Sequence, residues 1–247
     1  MNPLATESLS VAPLDVIDCS PADRNSRRVV IKVGGSLLDL PDLRERLAAV
    51  LSDYAQADVA LLCGGGGLAN EVRRWCGWQT LTESTAHALA MQTLDVTASL
   101  VAQLLPDAEL CDAAASVRDA WRCRKLAVIA PNRWFNQSSG WFDGRARLAT
   151  GPLPQSWNVT SDTLAGCAAI DLEADELLLL KSTELPEPFD IRRATGGGLV
   201  DRCFERVADH IPDIRWLNLR SASNNMQRLC CESRSTQTQS SGVALGT

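Results

Sequence analysis

The stretch Val29-Val30-Ile31-Lys32-Val33-Gly34-Gly35-Ser36-Leu37-Leu38 decides how the rest of the chain is read. β-Branched residues flank one lysine, and two glycines and a serine then break the run. The pattern predicts a short buried strand that carries a charge to its carboxyl end and continues into a loop with almost no side chain. A lysine seldom sits inside so apolar a strand without a partner. Glycines allow close approach of backbone N–H groups to an oxyanion. Lys32, Gly34, Gly35 and Ser36 therefore read as a phosphate site, against the plainer reading of a strand and a turn.

Downstream, Pro41 suits the first turn of a helix, and Leu43, Leu47, Leu51 and Tyr54 recur at helical spacing. A second apolar strand, Val59 to Cys63, runs into Gly64-Gly65-Gly66-Gly67, after which Leu68, Val72 and Trp75 mark another helix. Two strand–glycine–helix units in succession predict a parallel sheet with glycine loops at its carboxyl edge, where ligands of open α/β sheets bind. Four glycines in line are costly to order, which favours close ligand approach at Gly65, Gly66 and Gly67 over a flexible turn.

Thr82 to Leu105 reads as a long helix, apolar on several sides and so either central or half-buried by a second subunit, which points to a homodimer or higher homo-oligomer. His87 on that face reads as a hydrogen-bonded core histidine. Lys125 to Ala130 is the next strand, ended by Pro131. From Asn132 to Gln155 the chain turns irregular and carries Trp134, Phe135, Trp141 and Phe142 beside Arg133, Arg145 and Arg147. Such a segment is either a binding loop for a planar or phosphorylated ligand or a packed excursion over the core.

Thr160-Ser161-Asp162-Thr163 then opens a helix of small residues, Leu164 to Ile170. Cap-type residues at a helix N-terminus favour anions, and an aspartate there can hold a lysine of a neighbouring strand in place. Leu177 to Leu180 forms a further strand that ends on Lys181-Ser182-Thr183. Two lysines and an aspartate at one sheet edge, Lys32, Lys181 and Asp162, can offset the charge of a phosphoryl group in transfer. A third glycine loop, Gly196-Gly197-Gly198, precedes an expected helix from Cys203 to His210, and Trp216 to Leu219 reads as the last strand.

Composition sets the limits. With 247 residues, 45% hydrophobic and 22% charged, the chain suits a globular α/β enzyme. A net charge of −6 argues against duplex nucleic acid as a partner, and no apolar run reaches the length of a membrane span. The start lacks a basic region followed by an apolar core, the 9 cysteines form no CxxC pair, and the 2 histidines show no ligand spacing. A cytoplasmic, reduced protein with no protein-held metal is expected. Cys63, Cys167 and Cys203 fall in apolar stretches as small hydrophobes. Residues 1–26 read as a flexible arm, 27–220 as a single domain and 221–247 as a disordered polar tail. The first glycine loop lacks the GxGxxG and following acid of a dinucleotide site.

Ile31-Lys32-Val33-Gly34-Gly35-Ser36, the Gly64–Gly67 loop, Ser161-Asp162-Thr163-Leu164-Ala165 and the Leu177–Lys181 strand stand in the order seen in the amino acid kinase superfamily, which the chain resembles from about Val29 to Arg220. Gly66-Gly67-Leu68-Ala69-Asn70-Glu71-Val72-Arg73 and Ala86-His87-Ala88-Leu89-Ala90-Met91 are most similar to the uridylate-kinase-like branch that includes the aminomethylfuran-methyl phosphate kinases of methanofuran biosynthesis. The resemblance implies a three-layer α/β/α sandwich around a mainly parallel sheet of about eight strands, as in carbamate kinase. It also implies transfer of the ATP γ-phosphoryl group, with Mg2+, to a phosphate or carboxylate oxygen of a small acidic or phosphorylated substrate. Lys32, Gly34 and Gly35 would then contact the transferring group, Gly65, Gly66 and Arg73 the acceptor, and Asp162 would orient the lysine or the magnesium. Ser161, Lys181, Ser182, Gly197 and Gly198 would lie on the nucleotide side. Two departures stand out: Asp201 occupies a place where many relatives carry a lysine, and the nucleotide-side Val-Asp-Gly sequence is absent, since Lys181 leads into Ser182-Thr183-Glu184. Lys181 stands where relatives often carry Ser or Thr and would substitute for the missing lysine. The two losses motivate a second reading, a non-catalytic nucleotide- or oxyanion-binding storage member of the fold.

Overall fold

The computed structural model describes residues 26–137, 140–143, 148–187, 190–221 and 225–229. Seven strands form one sheet in the order β3-β4-β2-β1-β5-β6-β7. They are β1 (Arg28–Val33), β2 (Asp58–Cys63), β3 (Ala108–Cys111), β4 (Leu126–Ile129), β5 (Glu176–Lys181), β6 (Ile214–Asn218) and β7 (Gln227–Arg228). β1 to β6 are mutually parallel and β7 is antiparallel to β6. α1 (Leu43–Ser52) follows β1, while α2 (Gly66–Gln79) and α3 (Glu83–Leu104) follow β2. α4 (Ala114–Arg122) joins β3 to β4, and α5 (Pro131–Gln137) and α6 (Ser161–Asp171) lie between β4 and β5. α7 (Ile191–Gly196) and α8 (Glu205–Ala208) complete the chain before β6.

Helices cover both faces, as a parallel sheet of near-continuous apolar strands requires. Alternate residues of each strand feed two cores. Val30, Leu62, Leu177 and Leu179 pack with α4, α6 and α8 on one side, and Val29, Ile31, Val33, Leu61, Leu178 and Leu180 pack with α1 on the other. Register places Lys32 opposite Leu62 and Leu179, so its side chain lies on the α6 side. β1 is the topological switch: the chain first builds β2, β4 and β3 to one side of it and then returns to build β5, β6 and β7 on the other. The crevice at the carboxyl ends of β1, β2 and β5 is where such a sheet binds its ligand.

Several expectations are corrected. The mainly parallel sheet itself is as expected, with seven strands among the described residues against about eight. β3 and α4 were not anticipated, because Ala-Glu-Leu-Cys is too short and polar to announce an edge strand. Pro131 starts a helix where a loop was expected, since proline fits a first helical turn as well as it ends a strand. The segment after it is a packed excursion: Trp134, Phe135 and Trp141 are buried, and both indole N–H groups donate to Asp171 Oδ2, at 3.4 and 3.0 Å. Arg145 and Arg147 lie outside the described residues. α8 covers only four of the residues expected to be helical, and α7 comes before the third glycine loop. β7 arises in the polar tail, where Asp213 holds Arg215 at 2.8 Å and Arg228 at 2.9 Å and so lets two like charges stand opposite each other. The rest of the tail and residues 1–25 lie outside the described residues. No described helix is long and apolar enough to cross a membrane.

At the amino ends of the strands, Glu176 is fully buried, accepts from Tyr54 and Arg27, and pairs with the Arg215 charge at 3.2 Å, which together offset the cost of burying its charge. Cys63, Cys167 and Cys203 are buried and unbridged.

Candidate active site

The two strand-end lysines meet on one carboxylate. Lys32 Nζ and Lys181 Nζ each lie 2.8 Å from Asp162 Oδ1, and Lys181 also donates to Asp162 Oδ2 at 2.9 Å and to the Leu199 carbonyl at 2.6 Å. All three charged side chains are largely buried. Burial alone would raise the Asp162 carboxyl, but the Lys181 and Lys32 charges and hydrogen bonds outweigh it and hold the group down at about 2. Burial pushes Lys181 down to about 8, because one carboxylate shared between two ammonium groups only partly offsets desolvation and the repulsion from Lys32. Two ammonium groups thus converge on one carboxylate, with Asp201 near enough to act on Lys181 as well, and a paired lysine at a strand end suits the oxygens of a phosphoryl group.

Asp162 is placed by α6, and α6 by Asp201. The N-cap, Thr160, makes no capping bond with its own side chain. Instead Asp201 Oδ2 accepts from the Thr160 and Thr163 N–H groups, at 2.9 and 3.0 Å, and from the Thr160 hydroxyl at 2.9 Å. Its Oδ1 accepts from the Thr163 hydroxyl and from the Cys203 N–H. A carboxylate from a later loop thus caps the helix, meeting N–H groups that a helix leaves unsatisfied. Burial and the nearby Asp162 charge raise its carboxyl, while the Thr163 and Thr160 hydrogen bonds act to lower it. Sequence reasoning had noted Asp201 only as a departure from the family pattern.

The glycine loops close on each other. A Cβ on Gly35 would lie 2.4 Å from the Gly66 nitrogen, one on Gly64 would lie 2.7 Å from the Gly35 nitrogen, and Gly66 has a φ of +55°. These positions require glycine for loop–loop contact, a reason that the expectation of ligand approach did not include. Gly67 differs, with open space around its Cβ position. Gly34 hangs on the Leu180 carbonyl at 2.9 Å, and the Ser36 hydroxyl donates to that of Ser182 at 2.9 Å, tying the first loop to the end of β5. Arg220 grips the Ser36 carbonyl and Asp39 from the far side.

Beside these loops is a cavity of about 640 Å3, lined by Gly35, Ser36, Gly65, Gly66, Gly67, Arg73 and Ser161 of the expected site. It is walled by Ala90, Met91 and Leu94 of α3 and by Trp157, Val159 and Leu164. Arg73 is held at its rim, with its guanidinium 4.3 Å over the Trp157 ring and donating to Asn70 at 3.2 Å. Asn70, Trp157 and Asp39 also line it and were not anticipated. His87 is a wall residue of the same cavity, as well as the buried, hydrogen-bonded histidine that was expected. Gly197 and Gly198 form the C-terminal turn of α7, Gly198 with a φ of +69°, and Leu199 presents its carbonyl to Lys181.

Among the described residues no group of three His, Cys, Asp or Glu could hold a metal ion, and the Asp162 oxygens are engaged by the two lysines. The paired lysines and the glycine-loop N–H groups fit an anionic phosphate.

A sequence profile of the amino acid kinase family matches residues 27–184, which include both glycine loops, both lysines and Asp162. The chain belongs to the amino acid kinase family. A curated relative, the [5-(aminomethyl)furan-3-yl]methyl phosphate kinase of Methanocaldococcus jannaschii, is 25% identical over 175 residues, covering 70% of this chain and 72% of the relative. Among solved structures, uridylate kinase from Archaeoglobus fulgidus aligns with a TM-score of 0.53 at 15% identity over 76% of this chain and 88% of its own. UMP kinase from Bacillus anthracis aligns with a TM-score of 0.54 at 13% identity, over 80% and 89%. These structures share the fold of this chain.

Proposed function

We propose that this protein is a small-molecule kinase that transfers the γ-phosphoryl group of ATP to a phosphate or carboxylate oxygen of an acceptor held in the cavity beside Gly65, Gly66 and Gly67. The observation that carries the reading is the pair of buried ammonium groups, Lys32 and Lys181, sharing Asp162 at the carboxyl ends of β1 and β5. Such ammonium groups would offset the charge that in-line transfer gathers on the equatorial oxygens. Lys32 with the Gly34 and Gly35 N–H groups would hold the transferring group, and Asp162 would keep the two lysines apart and aimed. Lys181, Ser182, Gly197 and Gly198 would lie on the nucleotide side, and Ser161, which lines the acceptor cavity, at the border of the two. Magnesium would come bound to the nucleotide's phosphates.

For the acceptor, we propose a small phosphate ester gripped by the second glycine loop and Arg73. The first candidate is [5-(aminomethyl)furan-3-yl]methyl phosphate, the substrate named for the archaeal relative. We further propose self-association through α2 and α3, which expose Leu68, Trp75, Trp78, Val96 and Leu100; a monomer by light scattering would remove this part.

The test is ADP release from Mg-ATP over a panel of small phosphates and acidic amino acids that includes the furan phosphate, with Lys32→Ala as control. Turnover should fall by about a hundredfold or more in the variant. Nucleotide binding by calorimetry with no turnover on any acceptor would replace the kinase reading with the storage one.

A further inference from the structure

We infer that the molecule taken by the glycine-loop cavity carries a hydrogen-bond donor, an amine, ammonium or hydroxyl group, that meets Nε2 of His87. The inference rests on the kinase reading only in calling that molecule the phosphoryl acceptor.

His87 Nδ1 lies 3.2 Å from the Ser156 carbonyl, which can only accept, so Nδ1 carries the ring hydrogen. Burial lowers the histidine's pKa, and the Ser156 contact opposes this only in part, so the ring is the neutral tautomer with a lone pair at Nε2. Nε2 is buried and has no hydrogen-bond partner among the described residues, although His87 itself lines the cavity. An unmade buried acceptor costs about 1–3 kcal/mol, so a donor arriving there is rewarded. Phosphate or carboxylate is excluded from this wall, because lone pair would face lone pair. The Phe142 ring, half-buried, meets the imidazole edge-on with centroids 5.3 Å apart, so the donor reaches Nε2 by displacing a side chain.

The distance to the phosphate end follows from the helix. Leu94 packs beside Gly65, and His87 stands two turns earlier on α3, about 10 Å along its axis. Ala90 and Met91 form the apolar wall between. The matching ligand has an anionic end at the glycine loop, a small flat apolar body and a donor at its other end.

The experiment labels the imidazoles with 15N; with only 2 histidines in the chain, His87 is assigned by its loss in a variant. The probes are [5-(aminomethyl)furan-3-yl]methyl phosphate and 3-(aminomethyl)benzyl phosphate, each against its analogue with methyl in place of the aminomethyl group. The Nε2 resonance should move upfield with an amine-bearing probe and stay in place with its methyl partner. By calorimetry, His87→Phe should weaken the amine probe by about tenfold or more and leave the methyl analogue unchanged, and His87→Gln, which restores an acceptor, should recover part of the loss. If no amine-bearing probe moves the resonance, or if His87→Phe weakens both probes of a pair equally, the inference is wrong. No nucleotide is needed, so the result is independent of turnover: ADP release with an unmoved His87 signal would sink the inference and leave the kinase reading standing.

Discussion

Raising the pH through the titration of Lys181 should remove one of the two cations that face the phosphoryl site while leaving the fold intact. The Lys181 ammonium titrates at about 8, down from 10.5, which corresponds to about 3 kcal/mol against the charged form in its buried place. In the free enzyme, kcat/KM for the acceptor should therefore fall above pH about 8 with a slope of one proton, losing about tenfold by one unit beyond the midpoint. The same limb in kcat should lie higher, because a bound phosphoryl anion favours the ammonium. Unfolding cannot mimic the effect. A lysine lowered in the folded state has lost its proton while the unfolded chain still holds one, so between about 8 and 10.5 this residue makes stability rise with pH. The assay is the initial rate of ADP release from about pH 6 to about pH 10 at constant ionic strength, with thermal melts at each pH. Lys181→Arg keeps a charge over that whole range and should abolish the limb, at a lower rate because a planar guanidinium cannot reproduce contacts to both Asp162 and the Leu199 carbonyl. A wild-type profile flat to about pH 9.5, or a limb that persists unmoved in Lys181→Arg, would refute the reasoning.

Two further perturbations test the architecture. Gly35→Ala sets a methyl 2.4 Å from the Gly66 nitrogen and should lower stability in urea by about 1–3 kcal/mol, whereas Gly67→Ala, with open space around it on a helix, should be neutral or slightly stabilising; equal effects would contradict the loop packing. Asp201→Ala uncaps α6 and should cost about 1–3 kcal/mol in denaturant melts. Because the Asp201 charge also supports the Lys181 ammonium, the alkaline limb of kcat/KM should move to lower pH in that variant, a shift that a purely structural cap would not produce.

The aromatic segment after β4 shows where local reading ran out. Trp134 and Trp141 carry the same residue types whether they close over a ligand or fill a core, and only their burial against Asp171 distinguishes the two. The glycine loops show the converse: their need for glycine was legible, but its cause was shared between ligand approach and the contact of one loop with the other.

By itself the sequence determined the parallel α/β sheet, since β-branched and leucine runs followed by glycines have few other stable arrangements. It also singled out Lys32, Lys181 and Asp162 as charges in need of partners, because a lysine at the end of an apolar strand must find an anion. Only the tertiary structure decided that Lys32 and Lys181 share a single carboxylate, that Asp201 caps the helix presenting it, and that His87, a residue of the cavity wall, keeps a buried nitrogen without a partner among the described residues. The physical reason is range. Strand and helix periodicities act over a few residues, whereas these contacts join segments far apart in the chain, brought together by strand order, and burial then sets which groups stay charged.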